Sequence, residues 1–467
     1  MRGHGEVENK QRSPFFRVVS WPFRHWRWLA VALVCLLAVY AAIDQLLVKR
    51  LAAQLDRLRE AGRPATFAEL GVGNLPPMEN AALIYRAAGQ NIEAALAATG
   101  REELRERFAD VTACARRRKD DNRNYAPLSE DELRVIEAHM LAMEPELAKV
   151  LEARTMPGCE FGNYASLTGP AANPAAVLPD LAVVRDLARN IAYKAVWEAE
   201  QGNTEEALKW VAVNMRLAND LKGDPLLITG LVHAAAASIA LNSLERILHG
   251  HELPSAVPKE LYAELEALRE RENLVRFING ERCFVAAYSG RPQAGRNLLT
   301  RVFYYTPGVT ALNGVASTLA EALQEEDYAK RRALMAPLEA IDAKQGRFVL
   351  PWKAMVQITA PALVRASQAF ERHIALADLA RIALAIKTFQ RDTGKYPEIL
   401  GQLAPQYLEN LPLDTFSGNS YIYKTDESGF LLYSVGPNGM DDAGMPLTGS
   451  GGLQGDIVWC GGIEPAP

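Results

Sequence analysis

Two histidines and a carboxylate form the most metal-like cluster in the middle of this sequence. The run His249-Gly-His251-Glu252 places two imidazoles two residues apart, beside an acidic side chain. Zinc requires three or four converging ligands, so this run alone does not make a site. The run also follows a long apolar-periodic stretch, at the point where a helix should end, and a protonated histidine there complements the helix dipole. We therefore favour a helix-terminal role for these histidines over metal binding.

Common catalytic motifs are absent from the sequence. It contains no G-x-S-x-G turn, no H-E-x-x-H pair and no glycine-rich phosphate loop followed by Lys-Ser or Lys-Thr. Glu281 and Arg282 could combine an acid with an electrophile, but they lie in a long amphipathic pattern that favours a helix-surface or interhelical pair. We predict no catalytic residue and expect a non-enzymatic function.

Cysteine spacing gives few constraints. Cys35 lies in an apolar segment, whereas Cys114, Cys159, Cys283 and Cys460 lie outside it. These four allow three pairings that the sequence does not rank, and none belongs to a C-x-x-C motif of a zinc ribbon or a redox site. Isolated buried thiols are at least as good an interpretation as disulfides.

Composition excludes one class of partner. The chain has 467 residues, 49% of them apolar, which is enough to bury substantial cores. Its 51 basic and 56 acidic residues leave a formal charge of -5, so no overall electrostatic attraction to nucleic acid is expected.

One N-terminal segment is apolar enough to enter a bilayer. Trp28 to Ile43 contains no charged residue, and continuing to Val48 reaches the roughly 20 residues that a membrane-spanning helix needs. Tryptophans on the N-terminal side are typical of a membrane interface. We expect residues 27–48 to anchor the chain in the lipid bilayer.

The orientation of this anchor depends on its flanking charges. Lysines and arginines are equally frequent on both sides, but Arg24 and Arg27 lie closer to the span than Lys49 and Arg50 do. A long downstream region can also cross the membrane regardless of its charge, so we expect the N-terminus in the cytoplasm. A signal peptide cleaved after Val39-Tyr-Ala41 is the alternative.

Helical periodicity dominates residues 49–360. Three helices are predicted at about 180–201, 204–222 and 225–249, and a glycine stops each of them, Gly202, Gly223 and Gly250. The stretch from Trp197 to Leu208 resembles the inner turn of a tetratricopeptide repeat, but it has no second copy at the repeat period. We therefore predict a helical bundle or irregular α-solenoid.

Residues 361–467 have a mixed pattern. A long apolar-periodic helix is predicted from Pro361 to Asp392, followed by a short helix and loop. Residues 421–424 and 430–435 are predicted to form a hairpin, and 457–459 a third strand. The whole chain is thus mainly α, with a small C-terminal α+β module that carries an antiparallel sheet.

This last region resembles the C-terminal module of the major pseudopilin of type II secretion systems. The resemblance rests, in order, on Arg391-Asp-Thr-Gly-Lys-Tyr-Pro397, 411–419, 430–436, Asp441-Asp442 and Asp456-Ile-Val-Trp459. It implies a pilin-like fold, an extracytoplasmic location and a structural calcium ion.

The family's calcium ligands lie in the loop before the last strand. The matching residues here are Asp441, Asp442 and Asp456, with Asn438 as an additional oxygen ligand and backbone carbonyls near Val435 to complete the shell. Calcium takes six to eight such oxygens. The alternative is that Asp441 and Asp442 only cap a glycine-rich turn.

The resemblance does not extend to the N-terminus. Pseudopilins begin with a short leader and an apolar helix that carries an early glutamate, whereas Trp28 to Ile43 has no glutamate and a long helical region separates it from the module. Assembly into a pseudopilus by the usual route is therefore not expected.

These features together predict a single-pass inner-membrane protein. A cytoplasmic tail (1–26) and an anchor (27–48) precede a periplasmic helical domain (49–360) and a pseudopilin-like domain (361–467). Its expected role is structural or protein-binding, with an envelope protein as partner and a link to type II secretion or pilus-like machinery. A membrane-anchored hydrolase with a site in the helical domain and an atypical pseudopilin are the alternatives.

Overall fold

The computed structural model describes residues 26–73, 75–97, 130–162, 164, 181–289, 305–340, 351–448 and 454–461. Within these ranges the chain is mainly helical, with a three-stranded antiparallel sheet near the C-terminus. The helices are α1 (Trp26–Glu60), α2 (Ala81–Ala97), α3 (Glu130–Ala153), α4 (Leu181–Glu200), α5 (Thr204–Asp220), α6 (Leu227–Gly250), α7 (Lys259–Ala267), α8 (Arg271–Ser289), α9 (Thr306–Gln324), α10 (Tyr328–Glu339) and α11 (Pro351–Thr393). The strands are β1 (Ile422–Thr425), β2 (Phe430–Ser434) and β3 (Ile457–Gly461).

Helices α4 to α6 follow the predicted boundaries to within about two residues. Gly202 ends α4 with a φ of 82°, a left-handed conformation that glycine adopts without a steric penalty. Gly223 has a different role from the one predicted, because it allows a close approach of two chain segments. A Cβ at this position would overlap the carbonyl oxygen of Cys159.

Two hydrophobic clusters make up most of the interior. The larger one joins α2 to α7 with the second half of α11 and with the sheet, and its members include Leu187, Leu244, Ile386 and Trp459. The second joins α8, α9 and α10 to the first half of α11, around Phe277 and Phe370. The same helix α11 therefore supports both clusters.

Helix α11 starts earlier than predicted. It runs from Pro351 without interruption through Pro361, so the prediction that this helix begins after Pro361 is wrong. Proline removes one backbone donor and normally kinks a helix, but the buried neighbours Ala360 and Leu363 hold this segment in the second cluster. Tertiary packing here outweighs the local preference.

The C-terminal strands form the predicted hairpin and third strand. β1 pairs with β2 antiparallel, and β2 pairs with β3 antiparallel, so β2 lies in the centre. All five residues of β2 are buried, which is expected for a central strand covered on both faces. The sheet packs against α11 and α6, and the Tyr421 hydroxyl, which precedes β1, donates to Asp378 of α11 at 3.1 Å.

The N-terminal helix α1 has an unusually exposed apolar surface. Its large apolar side chains are between 43% and 75% exposed, namely Trp28, Val31, Leu33, Val34, Leu36, Leu37, Val39, Ile43, Leu46 and Val48. In the part of the chain that the structure describes, two helices are long and apolar enough to cross a membrane, α1 and α6. Most of α6 is buried in the larger cluster, whereas the apolar part of α1 is not.

Candidate functional site

The predicted calcium residues lie around the turn that follows β2. Asp456 is fully buried, and its two carboxylate oxygens accept hydrogen bonds from the backbone amides of Asp442, at 3.3 Å, and Gly444, at 2.6 Å. Burial raises the pKa of Asp456 to about 6, and the nearby charges of Asp442 and Asp441 also raise it. The three aspartates are thus close neighbours.

Each of these aspartates already has at least one oxygen atom engaged by a protein partner. Asp441 accepts from the Tyr433 hydroxyl at 3.0 Å, and Asp442 accepts from the Asn438 amide at 2.7 Å. Among the residues that the structure describes, no group of three or more His, Cys, Asp or Glu side chains is placed to hold a metal ion. The donor types suit calcium but the described side chains do not converge on one point, so the calcium site stays a prediction.

Asp414 is the buried residue that organises this end of the module. Its carboxylate accepts from the Ser434 hydroxyl at 2.8 Å and from the Val435 amide at 3.1 Å, which fixes the end of β2. It also accepts from the Phe416 amide at 3.0 Å in its own loop. Asp414 lies within the 411–419 part of the pseudopilin-like pattern, and no local sequence signal predicts this role.

A group of charged residues lies where the module meets the helical domain. Arg271 at the start of α8 donates to the Thr415 hydroxyl at 2.9 Å and forms an ion pair with Glu371 of α11 at 3.4 Å. The Thr415 hydroxyl itself donates to Glu371. Arg331 of α10 donates to the Thr415 carbonyl at 3.0 Å. These contacts connect α8, α10 and α11 to a single loop of the module.

A second group of buried acids lies inside the helical domain. Asp224 is fully buried and accepts from the amides of Phe161, at 2.7 Å, and Gly162, at 3.2 Å. Asp220 accepts from the Tyr85 hydroxyl at 2.7 Å and pairs with Arg216, also at 2.7 Å.

Burial is the main cause that raises the pKa of both carboxyls to about 6. Buried carboxyls with a shifted pKa can be catalytic. Here, however, both carboxylates accept hydrogen bonds that connect separate segments of the chain. We assign them a structural role.

The histidine cluster does not form a metal site. Helix α6 ends at Gly250, with His249 in its last turn, as predicted. His251 lies 3.9 Å from Glu200, and burial is the main factor lowering its pKa. Glu252 is exposed.

Glu281 and Arg282 make interhelical contacts but do not act as a pair. Glu281 accepts from the Leu227 amide at 3.3 Å and so caps the start of α6. Arg282 is buried and donates to the carbonyl of Pro64, in the segment that follows α1. The two residues contact different segments and not each other, because adjacent side chains on a helix point in different directions.

Two of the cysteines are isolated buried thiols. Cys159 and Cys283 are free, and burial raises the pKa of both, that of Cys283 to about 11. Cys114 lies outside the described residues.

Comparison with known proteins returns no match to a family model, to a curated protein or to a solved structure.

Proposed function

We propose that this chain is a single-pass protein of the bacterial inner membrane, with residues 49–467 on the periplasmic side and a structural or protein-binding role. The observation that carries the proposal is the band of exposed apolar side chains on α1. The part of α1 from Trp26 to Val48 is roughly 35 Å long at 1.5 Å per residue, enough to cross a hydrocarbon core of about 30 Å. Exposed apolar surface of this extent is costly in water and favourable in lipid.

The second half of α1 supports the same proposal. Gln54 donates to the Thr310 carbonyl of α9 at 3.2 Å, and Arg63 donates to the Ser317 carbonyl at 3.2 Å. The Pro64 carbonyl accepts from Arg282 and from Cys283 of α8. The helix that enters the bilayer is therefore the helix that packs on the domain, so the domain stands directly on the membrane surface.

The cavity at the junction of α10, α11 and the module bears on the hydrolase alternative. A hydrolase site would bring several carboxylates or histidines together in a pocket. One carboxylate, Glu371, and no histidine line this cavity. The perturbed acids Asp220 and Asp224 do not line it either.

The proposed link to type II secretion or pilus-like machinery rests on the pseudopilin-like pattern of residues 391–459. If the module contacts such a machine, its exposed apolar side chains are the natural contact points. Ile399, Leu413 and Met440 are more than 60% exposed.

Photo-crosslinkers at these three positions in native membranes test the proposal. Leu141 on α3 has a similar exposure and serves as the matched control. Capture of a secretion or pilus component from the module positions and not from position 141 supports the proposal. Equal capture from position 141, or no envelope protein captured from the module, contradicts it.

A further inference from the structure

A cavity of about 270 Å³ lies where α9, α10 and α11 meet two loops of the C-terminal module. Its lining combines polar and apolar residues. The polar ones include Arg331, Arg332, Gln368 and Glu371, and the apolar ones include Leu323, Met335 and Phe416. We propose that this cavity binds a small organic monocarboxylate with an apolar body.

Among the described residues that line the cavity, arginines outnumber carboxylates. Arg331 and Arg332 line it, and Glu371 is the one carboxylate among the described lining residues. Arg271 lies close enough to lower the pKa of Arg331. Glu371 is already engaged through one oxygen by Arg271 and by the Thr415 hydroxyl. The site therefore favours an anion.

In the described part of the chain, Arg331 forms no ion pair with a carboxylate and is held in place by other contacts. It is 7% exposed, and its hydrogen bonds go to the carbonyls of Thr415 and Glu325, at 3.0 and 3.4 Å. A guanidinium has five N–H donors, so further donors remain for a ligand. Burial is the main cause that lowers the pKa of Arg331, and the neighbouring Arg271 and Arg332 lower it further. A bound anion would offset the cost of burying this charge.

The carboxylate, the apolar lining and the volume of the cavity indicate which kind of anion fits. Glu371 Oε1 is buried and has no hydrogen-bond partner in the described part of the chain. Its negative charge would repel a phosphate dianion more strongly than a monoanion. The apolar lining would bury a hydrocarbon or aromatic body, which inorganic phosphate lacks. The volume is slightly below the range of drug-sized pockets, so the ligand is about the size of benzoate.

Benzoate is a suitable probe, and the full-length protein in lipid nanodiscs is the material. Isothermal titration should detect saturable binding of benzoate. Benzamide has the same shape without the charge and should bind at least about tenfold more weakly, since a charge-assisted hydrogen bond is worth roughly 1.5–3 kcal/mol. Inorganic phosphate should also bind more weakly than benzoate.

Two arginine variants locate the site. Arg332 is exposed, so Arg332→Gln should fold normally and weaken benzoate binding about tenfold. Arg365→Gln removes another exposed arginine, on α11 but outside the cavity lining, and should leave binding unchanged. Gln368→Trp should block the cavity without changing its charge. No benzoate binding at millimolar concentration, equal binding of benzamide or phosphate, or unchanged binding in Arg332→Gln would each overturn the proposal.

Discussion

Asp224 shows how one buried carboxylate can hold distant parts of this fold together. It lies in the turn between α5 and α6, and the amides that it binds belong to Phe161 and Gly162, 63 and 62 residues earlier in the chain. A buried carboxylate needs such partners, because an unpaired charge in the interior is very costly. Its raised pKa shows that these hydrogen bonds only partly offset the loss of hydration.

Replacing Asp224 should change how stability depends on pH. Because its folded pKa is about 6 and its ordinary value is 3.8, the folded state binds the proton more tightly than the unfolded chain. The protonated Asp224 therefore stabilises the folded state fully below about pH 4. This stabilisation, up to about 3 kcal/mol, is lost as pH rises through 6. Asp224→Asn should reduce the slope of that part of the profile, to which Asp220 and Asp456 also contribute, measured as the free energy of unfolding of the full chain in detergent.

The exposed Asp426 supplies the control for this experiment. Hydrogen bonds from Ser428 and Gly429 lower its pKa, which is the opposite direction from the shift of Asp224. Asp426→Asn should leave the profile in that range unchanged. An Asp224→Asn profile that still falls with the wild-type slope would show that Asp224 is not the responsible group.

Sequence patterns could not reveal the role of Asp224. An Asp-Pro pair after Gly223 predicts a helix start, and α6 does begin near that point, at Leu227. The side chain that accepts from the first amide of α6 is instead Glu281, 54 residues after Leu227 in the sequence. Asp224 accepts from the Phe161 amide. Local patterns predict where helices begin and end, but partners this distant depend on the tertiary arrangement.

At the scale of elements, close helix contacts depend on single glycines. Gly280 of α8 lies against the backbone of Pro225, and a Cβ there would overlap the Pro225 carbonyl oxygen. Gly314 of α9 is also helical, but a Cβ there would meet nothing within 4 Å. Both positions are helical, but Gly280 is tightly packed against another segment and Gly314 faces open space.

Alanine at these two positions should therefore have opposite effects. Gly280→Ala should lower the free energy of unfolding by about 3 kcal/mol, because α8 must move away from the turn before α6. Gly314→Ala should raise it by about 1 kcal/mol, since alanine favours a helix more than glycine does. Thermal or chemical denaturation of both variants measures the difference, and equal effects would contradict this packing.

The loop between β2 and β3, which carries Asp441 and Asp442, allows a second test at the scale of elements. If the loop binds calcium, added calcium should raise the melting temperature of the full chain, because a ligand of the folded state stabilises it. The Asp441→Asn, Asp442→Asn pair should remove this gain, whereas Asp426→Asn with Glu427→Gln in the exposed hairpin turn should keep it. Absence of a calcium-dependent shift in the unmutated protein would rule out the site.

The strands and most helices were predictable because their signals are local. The hairpin of β1 and β2 follows from two short runs rich in aromatic and aliphatic residues on either side of a turn at 426–429, and the structure confirms it. The continuation of α11 through Pro361 and the cavity around Arg331 were not predictable. Both depend on side chains that tertiary packing brings together from several elements.

At the scale of the whole molecule, the C-terminal sheet is part of the main core and not an appendage. Trp459 of β3 and Phe430 of β2 belong to the same hydrophobic cluster as helices α2 to α7. An isolated fragment of residues 361–467 would expose the face that packs on α6, so the stability tests above use the full chain. The helix that carries the exposed apolar band is joined to this body through Gln54, Arg63 and Pro64.

The central claim is that α1 anchors the chain in a bilayer, and alkaline extraction of membranes from a bacterial expression host tests it most directly. The wild-type protein should stay in the membrane pellet. Leu36→Arg with Leu37→Arg places two charges in the middle of the exposed band and should release the protein, because each charge costs roughly 3 kcal/mol at the centre of a span. Leu141→Arg with Leu151→Arg, on exposed positions of α3, should remain in the pellet. Release of the wild-type protein, or retention of the Leu36→Arg, Leu37→Arg variant, would contradict the account.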